Sequence, residues 1–206
     1  MENKWKAMAD RLKEVLGLES LPVGVIFANE KSEDFPEEKI SVCRALKRAF
    51  EGEGFAISAA SSACPGGSWH CGLKPPPSGE GWRWLQKFLT RGEKLTHSII
   101  SFHRMIALST PPPEGVAEWI LIGPWEKMKN RPDLVVFQAD GHQACRLVTL
   151  DTYWDGVPPK VELSGSLCHS AIAYPAVSGS TNVTFGDWTA RRMVGFPAHA
   201  VFVTVP

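Results

Sequence analysis

The feature that most constrains this chain is a series of short matches recurring in the same order in its two halves. Residues 22–27 (PVGVIF) answer residues 132–137 (PDLVVF), and each run leads to a cysteine followed by an arginine, Cys43 with Arg44 and Cys145 with Arg146. Gly54 and Gly156 follow those cysteines at the same distance. A serine-bearing approach then reaches Cys64 in one half (SAASSAC) and Cys168 in the other (LSGSLC). Arg104 and Met105, answered by Arg192 and Met193, precede a proline-bearing turn and a closing apolar run, WILIGP or VFVTVP. One such match arises readily by chance; an ordered series indicates an internal duplication with units over residues 20–125 and 130–206. Two units packed about a pseudo-twofold axis bring equivalent positions together near the axis or set them symmetrically across it. On these matches Cys43 pairs with Cys145, and Cys64 with Cys168.

Local patterns fill in the units. Trp5, Met8, Ala9, Leu12, Val15 and Leu16 recur at helical spacing, which predicts an amphipathic helix ending near Gly17. Residues 22–27 suit a buried strand, and Val42, Ala45, Leu46, Ala49 and Phe50 share one face of a helix that ends at Gly52 and Gly54. Residues 55–59 read as a strand, followed by a turn, ACPGG, that carries Cys64. A helix around residues 82–89, an apolar segment at 99–108 and a strand at 119–122 complete the first half. The second half reads as a strand at 134–137, a helix at 144–154, a strand at 161–163 and a terminal strand at 200–205. Strands alternating with helices predict an α/β or α+β fold, the two strand-helix-strand units packed as one globular domain.

Composition removes several functions. Lys plus Arg and Asp plus Glu both total 22, so no net field gathers polyanions, and nucleic acid is not expected as a partner. The opening residues form a charged helical pattern without an apolar signal region, and no apolar run approaches the roughly 20 residues that span a bilayer. The expectation is a cytoplasmic protein with no membrane association. Its five cysteines, an odd number, would then be thiols or metal ligands rather than a disulfide framework.

At CRALKRA, SSACPGGSWHCGL, the PDLVVF strand and the closing SGSLCHSAIAYPAVSG…NVTFGDWTARRM, the chain resembles a family called domain of unknown function 169, an archaeal conserved region. The resemblance runs over nearly the whole length. It implies a shared cysteine pattern, which falls here on Cys43, Cys64 and Cys168; Cys71 and Cys145 lie outside it. It implies no reaction.

Thiolates are soft ligands, and several converging on one point suit an iron–sulfur cluster or, as the alternative, zinc. No C-x-x-C occurs, so a site must be assembled from distant segments. The expectation is a metal centre held by Cys43, Cys64 and Cys168, with Cys145 as a further ligand by the duplication, at the junction of the two repeats. With three thiolates alone, a four-iron cluster keeps one iron open; Cys145, Cys71 or a histidine would close the shell. A different class is a cysteine-dependent enzyme in which a helix N-terminus activates Cys64 and His169, His97 or His103 acts as base. A third is a metal-free small-molecule-binding module with Trp82 and Trp84 lining a pocket between the units. The partners implied are a small-molecule ligand or a redox partner. Asp187 reads as a capping residue.

Overall fold

The computed structural model describes residues 4–109, 111–159, 161–163 and 166–206. Six strands form one sheet: β1 (Val23–Ala28), β2 (Phe55–Ser58), β3 (Trp119–Pro124), β4 (Leu134–Ala139), β5 (Asn182–Thr184) and β6 (Val201–Val205). Their order is β2-β3-β1-β4-β6-β5. Every pairing is antiparallel. The fold is therefore a mixed α/β one, with helices covering both faces.

Alternation along the strands decides which helix covers which face. Val23 and Val25 of β1 and Leu134 and Val136 of β4 form one core with helix α2 (Val42–Phe50) and with residues 167–172. The intervening face, through Val135 and Phe137, packs on α1 (Lys4–Leu16) and α6 (Gly141–Asp155). Helix α2 forms where the sequence predicts it: the Ser41 hydroxyl accepts the Arg44 amide at 3.4 Å as N-cap, and Val42, Ala45, Leu46, Ala49 and Phe50 are all buried.

Outward from the central β1–β4 pair, the strands run β1, β3, β2 on one side and β4, β6, β5 on the other. In each half the first strand lies innermost, the last beside it and the middle one at the edge. The pairing of Cys43 with Cys145 expected from the sequence matches is not met in space. Cys145 lies on α6, exposed and across the sheet from α2. The helical stretch of residues 167–178, closing with helix α7 (Tyr174–Ser178), lies on the α2 face, so it is Cys168 rather than Cys145 that shares a side of the sheet with Cys43.

Two local readings are also corrected. Residues 161–163 are not a strand: Val161 and Leu163 are 53% and 58% exposed, and the Glu162 amide is bound by the Asn182 side chain at 2.8 Å rather than by a ladder partner. The edge strand is β5, too short and polar to stand out in the sequence. The CPGG segment is not a free turn but the start of helix α3 (Pro65–His70), with Pro65 in the first turn, where its missing N–H costs nothing. Among the described residues no helix is long and apolar enough to cross a membrane.

Candidate functional site

Between α2 and the segments that pack on it lies a pocket of about 530 Å³ whose walls include Cys43, Cys64, Cys168 and His70. Each cysteine arrives on a different segment. Cys43 sits in the first turn of α2. Cys64 is the N-cap of α3, its sulfur accepting the Gly67 amide at 3.4 Å, and the turn is fixed by the Ser68 hydroxyl, which reaches Ser62 Oγ at 2.7 Å and the Cys64 carbonyl at 2.9 Å.

Cys168 is held by a neighbour the sequence left as a cap. Asp187 does cap helix α8 (Trp188–Val194), accepting the Ala190 amide at 2.6 Å, and its second oxygen accepts the Leu167 amide at 2.8 Å. One carboxylate thus ties α8 to the backbone beside Cys168. Cys43 Sγ and Cys168 Sγ lie 3.3 Å apart. Gly67 keeps the space open: a Cβ there would lie 3.3 Å from Val42 Cγ2 and 3.6 Å from Cys168 Sγ.

The environment favours protonated thiols. Burial, set against the Gly67 amide that favours the anion, pushes Cys64 upward, so the helix terminus does not activate it. Cys168 is pushed well up, first by its hydrogen bond with Cys43 and then by burial. Burial also raises Cys71 far above the ordinary thiol range. His70 is pushed down to about 3, by burial and then by His169, and burial takes His169 down to about 4, so both are neutral imidazoles. Their rings lie 5.3 Å apart, and Nδ1 of His70 and both ring nitrogens of His169 have no hydrogen-bond partner among the described residues. At the rim, burial and then the Asp187 charge raise Glu93.

A helical arm covers the pocket: α4 (Gly79–Lys87), a π-helical turn over Phe88–Gly92 and α5 (Ile99–Leu108). Trp82 is packed inside the arm, edge-on to Trp69 at 6.4 Å and to Phe102 at 5.2 Å, whereas Trp84 stacks on Phe88 at 4.8 Å and lines the pocket. Met105 and Met193 line it as well. Their neighbours Arg104 and Arg192 do not.

The structure brings together Cys43, Cys64 and Cys168 and leaves Cys145 apart. His97 and His103 are bound instead within the arm, to Ser101 at 3.4 Å and Gln86 at 2.9 Å. Sequence reading passed over His70 and gave Cys71 little weight. The missed signal is CPGGSWHC, one short helix with a cysteine at each end.

A family description covers residues 11–206, with this cysteine-bearing segment and the Asp187 region inside the match. The chain belongs to the DUF169 family. That family is described as an uncharacterised archaeal conserved region. No curated protein and no solved structure matches the chain. In this DUF169 protein the segments that resemble the family contribute all three pocket cysteines.

Proposed function

We propose that the chain holds a thiolate-ligated metal centre, an iron–sulfur cluster, in the pocket between its two halves, with Cys43, Cys64 and Cys168 as ligands. The observation that carries this is the convergence of three cysteines from three separate segments on one pocket. Clustered buried thiols are hard to ionise, because each thiolate loses hydration and repels the others. A bound cation inverts that balance and makes the thiolates the stable form.

The same burial weighs against a cysteine enzyme, whose nucleophile needs a depressed pKa. A cluster is favoured over zinc because a lone tetrahedral ion at 2.3 Å from each sulfur requires all its thiolates about 3.8 Å apart. Among the described residues no three His, Cys, Asp or Glu side chains form such a group. Cluster ligands bind different irons and stand further apart, so Cys43 and Cys168, whose sulfurs lie 3.3 Å from each other, would have to turn apart to hold one. A reducing compartment such as the cytoplasm accords with five free thiols, and the rest of the pocket would admit a small-molecule ligand or bring the centre near a redox partner.

The Cys43–Cys168 distance favours a second reading, a metal-free dithiol couple. There an external disulfide oxidant would take two electrons and two protons as the S–S bond forms. One experiment separates the readings: iron, zinc and acid-labile sulfide analysis with a visible spectrum on protein purified without oxygen, beside Cys64→Ser and Cys168→Ser. Stoichiometric iron and sulfide, lost in both variants, is the expected result. Zinc without sulfide replaces the cluster by a single ion. Colourless, metal-free protein that forms a Cys43–Cys168 disulfide on mild oxidation leaves the dithiol.

A further inference from the structure

We propose that the groove between α1 and α6 is a second binding site, for a free amphiphilic carboxylate of the medium-chain fatty-acid type. It lies on the sheet face opposite α2 and does not depend on the metal-centre reading. Trp5, Met8 and Leu12 recur along one face of α1, and Leu147 and Leu150 along one face of α6. Both helices pack on the face of Val135 and Phe137, yet a groove of about 560 Å³ separates them, a size ordinary for a small-molecule site. Met8 and Leu150, on its two walls, are 47% and 53% exposed. An alkyl chain lying between them removes that surface from water. A peptide fits less well, because β4 on the floor is already hydrogen-bonded to β1 and β6 and the walls are helices, so no backbone is left for it to pair with.

The charges are sorted across the groove. Trp125 and Arg131 belong to the segment joining β3 to β4, which lies against β1: the Trp125 amide donates to the Pro22 carbonyl at 2.9 Å, and a Cβ on Gly24 would lie 3.1 Å from Pro132 Cβ. Lys4 is on the same flank, its Nζ 4.2 Å from the centre of the Trp5 ring, which stacks on Trp125 at 6.1 Å. Among the described residues neither Lys4 nor Arg131 is in an ion pair. The indole N–H of Trp125, a residue only 6% exposed, has no acceptor among them either. Asp151 also lines the groove, but on the other flank: it accepts the Thr181 hydroxyl at 2.8 Å, just before β5, which lies two strands or roughly 10 Å from β4. Two cations and an unsatisfied donor therefore stand together at one side of an apolar floor. A carboxylate head supplies the acceptor and the counter-charge they lack, and its alkyl chain covers Val135 and Phe137.

The test is isothermal titration of the full chain with dodecanoate, kept below its micelle-forming concentration. One molecule per chain is expected, bound about tenfold more tightly than dodecanol or dodecyltrimethylammonium, which share the chain and lack the negative charge. Arg131→Gln and Lys4→Gln should each weaken dodecanoate by about tenfold, and Leu150→Trp, which fills the groove, should abolish its uptake. All three side chains are exposed, so the unfolding midpoints without ligand should stay at the wild-type value.

Uptake that none of the three variants changes puts the fatty acid elsewhere, the thiol pocket included, and overturns the proposal. Dodecanol bound as tightly as the acid overturns it too, as does tighter binding of the cation, which would point to Asp151. Binding to phosphatidylglycerol vesicles without saturable uptake of free dodecanoate makes the groove a membrane contact instead. Wild type that takes up neither refutes the site, and none of these outcomes touches the iron and sulfide content on which the metal centre is judged.

Discussion

Replacing Asp187, which lines the same pocket, with alanine should loosen the thiol site while leaving its cysteines unchanged. The carboxylate makes two hydrogen bonds, one to the Ala190 amide at the start of α8 and one to the Leu167 amide. Loss of an N-cap costs about 1 kcal/mol. The Leu167 amide belongs to a residue with no exposed surface, and an orphaned buried donor costs about 1–3 kcal/mol. Together these give about 2–4 kcal/mol, which at a urea slope of about 2 kcal/mol per molar lowers the unfolding midpoint by about 1–2 M.

Asp187→Asn should fall between alanine and wild type, because its carbonyl oxygen caps as well as a carboxylate does while its NH2 cannot accept from Leu167. Alkylation of Cys168 in the native, metal-free protein should quicken in the same order, because the backbone beside it is released. An alanine variant within about 0.5 kcal/mol of wild type, with Cys168 alkylated no faster, would refute this account of how the site is held.

Three further expectations follow from the same structure. His70 and His169 titrate at about 3 and 4 in the metal-free fold against an ordinary value of 6.5, so the unfolded chain binds the extra protons. Stability is then whole above pH 6.5 and falls below it by up to about 1.4 kcal/mol per pH unit for each histidine; urea midpoints equal at about pH 7.5 and 5 would contradict their burial. Gly123→Ala would put a Cβ 2.7 Å from Phe35 Cζ and 3.2 Å from Gly54 Cα, so it should destabilise by about 1–3 kcal/mol, measured by thermal or urea unfolding. Trp82→Ala should free the helical arm, speeding amide exchange across residues 79–108 while the sheet stays protected, because the Trp82 contacts to Trp69 and Phe102 hold the arm's core together.

The sequence by itself determined the elements with strong periodicity: α1, α2, α6, the inner strands β1 and β4, and the two strands beside them, each marked by an apolar run or face that has to be buried. It also marked the three cysteines that share the pocket. Tertiary structure decided what short-range pattern does not encode. Whether Cys145 or Cys168 faces Cys43 depends on which side of the sheet each helix covers, and the two faces of a doubly covered sheet are equally apolar in sequence. The edge strand β5 is recognisable only through its partner β6, and the short helix α3 only through its caps and the packing of Gly67 against α2. Cys71 and His70 acquire their position from that helix, and Asp187 from a backbone amide twenty residues away. The pocket is a product of long-range packing, because its cysteines come from segments that nothing local holds together.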